Sequence, residues 1–306
     1  MTWQTLLPER SIRRLDLLPG KPPLLAVWPR YGQARFFDVR DGLAQGEMKL
    51  DIPAGEARSG AGWQRFLSSL KAPNEARLPF VRTPALSLYN SSDGRLRLYH
   101  AGGAELFLDD DGEEIKLDTG GAAHLVALAF DPLMGVIAAL DEQVKLHIFQ
   151  QNITVGVFAS GLTLHPELQP SLAMAHNGSA LFACDGQKIV RLDNGGAILK
   201  TRDAHYYVGQ MACSPDGAWL ATSDLESGVL RLYDGQDLTP THQRFAADLL
   251  ERAQVEGGQA VSIPESVTIS ALALSNQATV AFALSGCVCL CEIEAFDALP
   301  RPQRLL

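Results

Sequence analysis

The segment Gln210–Gly235, QMACSPDGAWLATSDLESGVLRLYDG, contains the pattern that decides the fold. Its apolar residues form three short runs separated by two groups of turn-forming residues, which predicts three β-strands joined by tight turns. In the first turn, SPDG at 214–217, proline fixes φ and glycine supplies a positive φ. We expect Asp216 to accept a local backbone hydrogen bond there, and we expect the third strand to end at Tyr233-Asp234.

The same order of strands and turns recurs in five further segments. They turn at 19–21, 91–94, 131–135, 176–178 and 275–277, and they end at Asp38, Asp109, Gln150, Asp193 and Glu294. In all six copies the last turn residue precedes the terminal residue by 15 or 17 positions. A fourth strand is predicted after five of the copies, at 47–52, 113–117, 154–159, 197–200 and 239–245.

Four short antiparallel strands per repeat are typical of a β-propeller blade, and helical periodicity is nearly absent. We therefore predict an all-β fold: a single closed propeller over residues 1–306 with six blades and insertions at 54–79 and 245–262. Seven blades are the alternative, because a repeat of about 40–45 residues would fit the length about seven times. Closing the propeller ring requires a strand from residues 2–7 or 303–306 to pair beside the strand at residues 287–293.

The repeats resemble those of the WD-repeat family. SPDG at 214–217 followed by LRLYD at 230–234 matches the central family pattern, with Tyr233 where tryptophan is usual, and Asp131-Pro132 with Phe149-Gln150 is a weaker match. The chain departs from the family in having neither a Trp-Asp nor a Gly-His dipeptide. The resemblance covers most of the chain and implies a propeller whose top face commonly binds partners.

Composition excludes several classes of protein. Apolar residues make up 46% and charged residues 20%, which permits a large core and excludes global disorder. A net charge of −9 argues against nucleic acid or an anionic membrane as partner. No apolar run approaches the ~18 residues of a membrane span, and residues 1–20 lack the features of a signal peptide. We expect a cytoplasmic monomer.

Three cysteines alternate along one predicted strand, at Cys287, Cys289 and Cys291. Alternate positions share one face of a sheet, and a strand cannot wrap an ion as zinc sites require. The odd number of cysteines also disfavours a disulfide framework. We therefore expect reduced cysteines that pack in the core.

Three histidines precede the first strands of different copies, at His124, His165 and His205. The family histidine near this position is structural, and no carboxylate motif accompanies the three residues, so we expect neither a metal nor another cofactor. Nucleophile elbows, phosphate-binding glycine loops and the His-Glu-x-x-His motif are also absent from the sequence, so no catalytic residues are predicted.

Both insertions contain short amphipathic helical patterns, at 63–70 and 245–253, and both lie on the rim of the connections that precede the first strands. That rim is the predicted surface for a protein or peptide. The residues expected to contact the partner are Arg30, Tyr31, Trp63, Phe66, Tyr206, Tyr207, Asp224 and Glu226. The alternative for the inserted helices is that their apolar faces only pack across the blade ends.

The sequence favours a non-catalytic interaction platform, because the repeats resemble WD repeats and the rim is elaborated. Two alternatives remain open. One is a propeller hydrolase of the lactonase kind, and the other is a sensor of a small ligand or metal at the channel mouth; both rest on the versatility of the fold alone.

Overall fold

The computed structural model describes residues 3–6, 12–18, 24–29, 35–47, 89–90, 96–102, 105–110, 113–131, 135–150, 153–175, 179–257, 268–284 and 287–299. Strands dominate these residues, and the only α-helix among them is α1 (Ala246–Gly257). No helix in the described part of the chain is both long and apolar enough to cross a membrane.

The described strands form six antiparallel sheets, which we number 1 to 6 in the order of the repeats along the chain. In sheets 1 to 5 the first four strands lie in sequence order, whereas sheet 6 takes one strand from the N-terminal segment. Sheets 1, 5 and 6 belong to one compact unit, and sheets 2, 3 and 4 belong to another. The predicted architecture of repeated four-stranded antiparallel sheets is confirmed.

The first unit contains the N-terminal repeat and the last two repeats. Sheet 1 consists of β2 (Ile12–Leu18), β3 (Leu24–Pro29), β4 (Arg35–Asp38) and β5 (Ala44–Glu47). Sheet 5 consists of β18 (Val208–Cys213), β19 (Trp219–Asp224), β20 (Val229–Asp234), β21 (Pro240–Phe245) and β25 (Asp297–Ala298). Sheet 6 consists of β22 (Ile269–Leu274), β23 (Val280–Leu284), β24 (Cys287–Cys291) and β1 (Trp3–Leu6).

The second unit contains the three middle repeats. Sheet 2 consists of β6 (Tyr89–Asn90), β7 (Leu96–Gly102), β8 (Glu105–Asp110) and β9 (Glu113–Leu117). Sheet 3 consists of β10 (Leu125–Asp131), β11 (Val136–Asp141), β12 (Lys145–Gln150) and β13 (Ile153–Ala159). Sheet 4 consists of β14 (Ser171–Met174), β15 (Leu181–Cys184), β16 (Lys188–Leu192) and β17 (Ile198–Asp203).

The turn that opens the deciding segment has the predicted geometry. Gly217 has a φ of 71°, and the backbone N–H of Ala218 donates to Oδ1 of Asp216 at 3.0 Å. The hydroxyl of Ser214 also donates to Oδ1 of Asp216, at 2.6 Å. The two expectations for this turn, a left-handed glycine and an aspartate that accepts a backbone hydrogen bond, are therefore confirmed.

The N-terminal strand completes sheet 6 beside the third strand of the last repeat. Strand β1 pairs antiparallel with β24, with Trp3 opposite Leu290 and Leu6 opposite Cys287. The predicted pairing of a terminal strand beside residues 287–293 is confirmed, and it is the N-terminal segment that supplies the strand. The chain after β24 instead continues to sheet 5, where β25 pairs with the outer edge of β21.

The inner strands of the middle sheet in each unit are buried on both faces, because a neighbouring sheet packs against each face. In sheet 6, Val288 and Leu290 face a cluster with sheet 1. The alternate residues Cys287, Cys289 and Cys291 face a cluster with sheet 5 and α1. The cysteines thus pack in the core as the sequence predicted, and burial raises the pKa of Cys287 to about 12.

Several boundaries differ from the prediction, for example the end of β17, which lies at Asp203 rather than at residue 200. The third strand of the last repeat ends at Cys291 rather than at Glu294, because Ile293–Ala295 forms a single 3₁₀ turn. The fourth strand of sheet 1, predicted at 47–52, is instead Ala44–Glu47, and residues 48–52 lie outside the described residues. The predicted helix at 245–253 begins one residue later, at Ala246.

Candidate partner-binding surface

Three connections meet at one end of sheet 5: the residues before β18, the turn between β19 and β20, and the start of α1. The backbone N–H of Leu225 donates to the carbonyl of Tyr207 at 2.7 Å. The backbone N–H of Ala246 donates to the carbonyl of Gly228 at 3.1 Å. These main-chain bonds hold the three connections together as one surface within the first unit.

Asp224 is the residue that shapes the turn between β19 and β20. Its Oδ1 accepts the backbone N–H of Glu226 at 3.0 Å and that of Ser227 at 3.3 Å, and Oδ2 lies 3.7 Å from the guanidinium of Arg231. Only 9% of the residue is exposed. Asp224 was expected to face a partner, and the structure instead uses its carboxylate inside the turn.

Tyr206 anchors the connection before β18 to the sheet. Its hydroxyl contacts the hydroxyl of Thr222 and lies 2.7 Å from that of Tyr233, and both of these partners are buried. The guanidinium of Arg231 lies 3.8 Å from the centre of the Tyr206 ring, in cation–π geometry. Burial, and secondly the neighbouring Tyr233, raise the pKa of Tyr206 well above its usual value. Both its hydroxyl and one ring face are thus engaged within the sheet.

The side chains left at the surface come from all three connections. Tyr207 and Leu225 are each 39% exposed, and Phe245 is 52% exposed. Glu226 lies beside them and is exposed. Leu225 sits over Gly209, where a Cβ would approach the Cα of Leu225 to 3.3 Å.

The apolar residues predicted to form one face of the inserted helix do not all become buried. Leu249 and Leu250 are fully buried against sheets 5 and 6, as a packed amphipathic helix requires. Phe245, which was assigned to the same apolar face, ends β21 opposite Val229 and is half exposed. The helix therefore packs across the ends of these sheets, and Phe245 is left for the surface.

Of the eight residues predicted to contact a partner, four are described, and they divide into two pairs. Tyr207 and Glu226 lie on the exposed surface, whereas Tyr206 and Asp224 are tied into the sheet and its turn. The other four, Arg30, Tyr31, Trp63 and Phe66, lie outside the described residues.

Sequence reasoning missed a recurring buried carboxylate at the end of the second strand. Asp141 in sheet 3 and Asp185 in sheet 4 occupy the position of Asp224 in sheet 5, and they are 1% and 2% exposed. Each accepts the backbone N–H of the residue two positions later, at 2.9 Å in both cases. The sequence did contain a signal for this carboxylate, because an aspartate stands at or directly after the end of the second strand in three successive repeats.

The buried histidine of the second unit was also missed. Nε2 of His147 lies 2.9 Å from Oδ2 of Asp141, and His147 is 2% exposed. Since a carboxylate only accepts, Nε2 is the donor. The three histidines considered in the sequence do not share this arrangement: His124 and His205 are exposed and His165 is half-buried. Among the described residues, no three His, Cys, Asp or Glu side chains converge in a group that could hold a metal ion.

Comparison with known proteins adds no assignment. No protein-family model matches the chain, and no curated protein matches it.

Proposed function

We propose that the chain is a six-bladed β-propeller of the WD-repeat kind that acts as a non-catalytic platform for a protein or peptide. Six antiparallel sheets, five with four strands and one with five, support this architecture, and the N-terminal strand completes one of them. An experimental structure tests it directly. A closed ring of six blades is the expected result, and a ring of seven or two separate folds would overturn it.

The surface at the end of sheet 5 carries the proposal. Three large apolar side chains, Tyr207, Leu225 and Phe245, are exposed there from three connections joined by main-chain hydrogen bonds. Aromatic side chains are enriched where interfaces gain most of their binding energy. The positions are also held in place by the structure beneath them, because Tyr206 and Asp224 fix the two connections to the sheet. A preorganised apolar cluster loses little conformational freedom on binding.

The proposed partner presents an apolar segment with basic residues. Glu226 lies within the exposed cluster, and the chain as a whole carries a net charge of −9. Opposite charge on the partner speeds association, and salt screens this effect. Binding should therefore weaken between low and high salt, chiefly through a slower association rate.

Quantitative affinity capture tests the proposed surface. Wild type, the double variant Tyr207→Ala/Phe245→Ala and the control Leu43→Ala are each immobilised and exposed to the same cell extract. Leu43 is 63% exposed in the turn between β4 and β5, so the control removes an exposed apolar side chain elsewhere in the same unit. All three proteins should unfold at similar temperatures, because the truncated side chains are exposed.

The expected result is a protein retained by wild type and by Leu43→Ala but lost from the double variant. Equal capture by all three forms would show that this cluster is not the binding surface. Turnover of lactones by a purified protein that captures nothing would replace the platform with the hydrolase alternative.

A further inference from the structure

We propose that β13, the outer strand of sheet 3, pairs antiparallel with β13 of a second copy of the chain to form a homodimer. This surface lies in the second unit and is independent of the proposed partner-binding surface. It differs from the monomer expected from the sequence.

The first observation is that β13 is an uncharged outer strand whose outer edge pairs with none of the described strands. Exposed edges template pairing with other strands, so proteins protect them with charge or cover them. Three outer strands, β5, β9 and β17, carry charged residues. Strand β21 pairs with β25, and β1 lies against α1. In contrast, Ile153–Ala159 has the sequence ITVGVFA, without a charge, and no described strand pairs with its outer edge.

The second observation is that this edge is apolar as well as open. Ile153 is 71% exposed, Val155 50% and Val157 46%. Phe158 is partly buried in the cluster between sheets 3 and 4, and its ring covers Gly156 so closely that a Cβ there would lie 2.6 Å from it. Three exposed β-branched residues on an uncharged strand favour pairing with another strand.

The mode of pairing is already present in the same chain. In both β13 and β21 the ladder to the third strand shifts register near its start, and the strand is regular afterwards. Strand β25 pairs with the regular part of β21, at His242 and Gln243. In β21 the regular part begins at His242, which lies opposite Leu232 just beyond the register shift. In β13 the same position is taken by Gly156, which lies opposite Ile148. A register shift near the start of an outer strand therefore does not prevent a further strand from pairing with the regular part of that strand.

A second copy is the occupant that the charges favour. Two uncharged strands can approach each other without like charges meeting. An antiparallel pair related by a twofold axis also brings the Ala159 end of one strand to the Thr154 end of the other. Lys145, exposed, lies opposite Ala159, and Asp118, also exposed, accepts the Thr154 hydroxyl through its carbonyl at 2.8 Å. Lys145 of each copy then lies at the end of the paired strands where Asp118 of the other copy lies.

Sedimentation equilibrium and size-exclusion chromatography with light scattering, from about 1 to 100 μM protein, provide the test; this range covers the affinities of modest interfaces. Wild type should approach twice the monomer mass of 33.1 kDa as the concentration rises. Val157→Lys should raise the dimer dissociation constant at least about tenfold, because the twofold axis brings two lysines together. The matched control Leu43→Lys adds the same charge at an exposed apolar site in the other unit and should dimerise as wild type does.

Cross-linking gives a readout that does not depend on a loss of stability. Val157→Cys should form an intermolecular disulfide under mild oxidant, in which two thiols lose two electrons and two protons to the added oxidant. The control Leu43→Cys should remain monomeric on a non-reducing gel. A wild-type chain that stays at the monomer mass throughout the range would overturn the proposal, as would a dimer that both lysine variants leave unchanged.

Discussion

Replacing Asp141 with alanine should destabilise the protein strongly, although the residue is far from the proposed partner-binding surface in sequence. Oδ1 of Asp141 accepts the backbone N–H groups of Gln143 and Lys145, each at 2.9 Å, and Oδ2 accepts Nε2–H of His147 at 2.9 Å. The aspartate and the histidine are 1% and 2% exposed. The substitution removes three hydrogen bonds at once and leaves the imidazole N–H buried without an acceptor.

The magnitude follows from how well water can replace each lost bond. A hydrogen bond to a charged group contributes about 1.5–3 kcal/mol, and a buried donor left unpaired costs about as much. Gln143 and Lys145 are exposed, so water can recover part of the loss at their N–H groups, whereas His147 is shielded. We expect Asp141→Ala to lower the free energy of unfolding by about 3–5 kcal/mol, which corresponds to the full loss at His147 and a partial loss at the two backbone N–H groups.

Urea unfolding followed by circular dichroism measures this loss, and Asp118→Ala is the matched control. Oδ1 of Asp118 accepts the N–H of Gly120 at 2.9 Å in the same kind of turn, but the site is exposed. The control should therefore cost no more than about 1 kcal/mol. A double-mutant cycle with His147→Ala should give a coupling of about 1–3 kcal/mol. Equal losses in Asp141→Ala and Asp118→Ala, or no coupling, would refute the role of burial.

Two further substitutions and one measurement of thiol reactivity test other parts of the structure. Gly235→Ala should lower the thermal midpoint, because the added Cβ would lie 2.0 Å from the carbonyl oxygen of Gly217. Overpacking of this kind costs about 1–3 kcal/mol, and an unchanged midpoint would contradict the close approach. Tyr206→Phe should lower the free energy of unfolding by about 1–2 kcal/mol in chemical denaturation, because the buried hydroxyls of Thr222 and Tyr233 lose a hydrogen-bond partner. An unchanged free energy would mean that these hydroxyls pair with other groups in the variant. Burial raises the pKa of Cys184 to about 12, so the thiolate is scarce at pH 8. Cys184 should therefore react with a disulfide reagent quickly only after denaturation, and fast reaction in the folded protein would contradict its burial.

The local structure of the repeats could be read from the sequence because its causes are local. Apolar runs of strand length, separated by turn residues, determine where strands begin and end within a few residues. The positive φ of Gly217 and the turn bond of Asp216 depend on residues within the same turn. The pairing of β1 with β24 was predicted as one of two options, because closing the ring requires a terminal segment beside residues 287–293, and the sequence did not decide between residues 2–7 and 303–306.

The binding surface could be predicted only in part, because exposure depends on partners distant in sequence. Tyr206 and Tyr207 are adjacent and both aromatic, yet Tyr206 is fixed by Tyr233, 27 positions later, and Tyr207 is left exposed. Asp224 was indistinguishable from a surface acid until its position against the turn amides was known. Phe245 shared the helical pattern of Leu249, but the β21–β20 ladder continued to Phe245 and turned it outward.

Strands, turns and their repetition follow from the amino-acid sequence, since they arise from periodicity and backbone preference within each short segment. The tertiary structure alone decided which polar groups are consumed internally and which apolar groups remain at the surface. It also decided that β25 pairs with the outer edge of β21, whereas none of the described strands pairs with the outer edge of β13. The physical reason is that burial and hydrogen bonding are properties of neighbours in space, and folding brings those neighbours together from separate repeats.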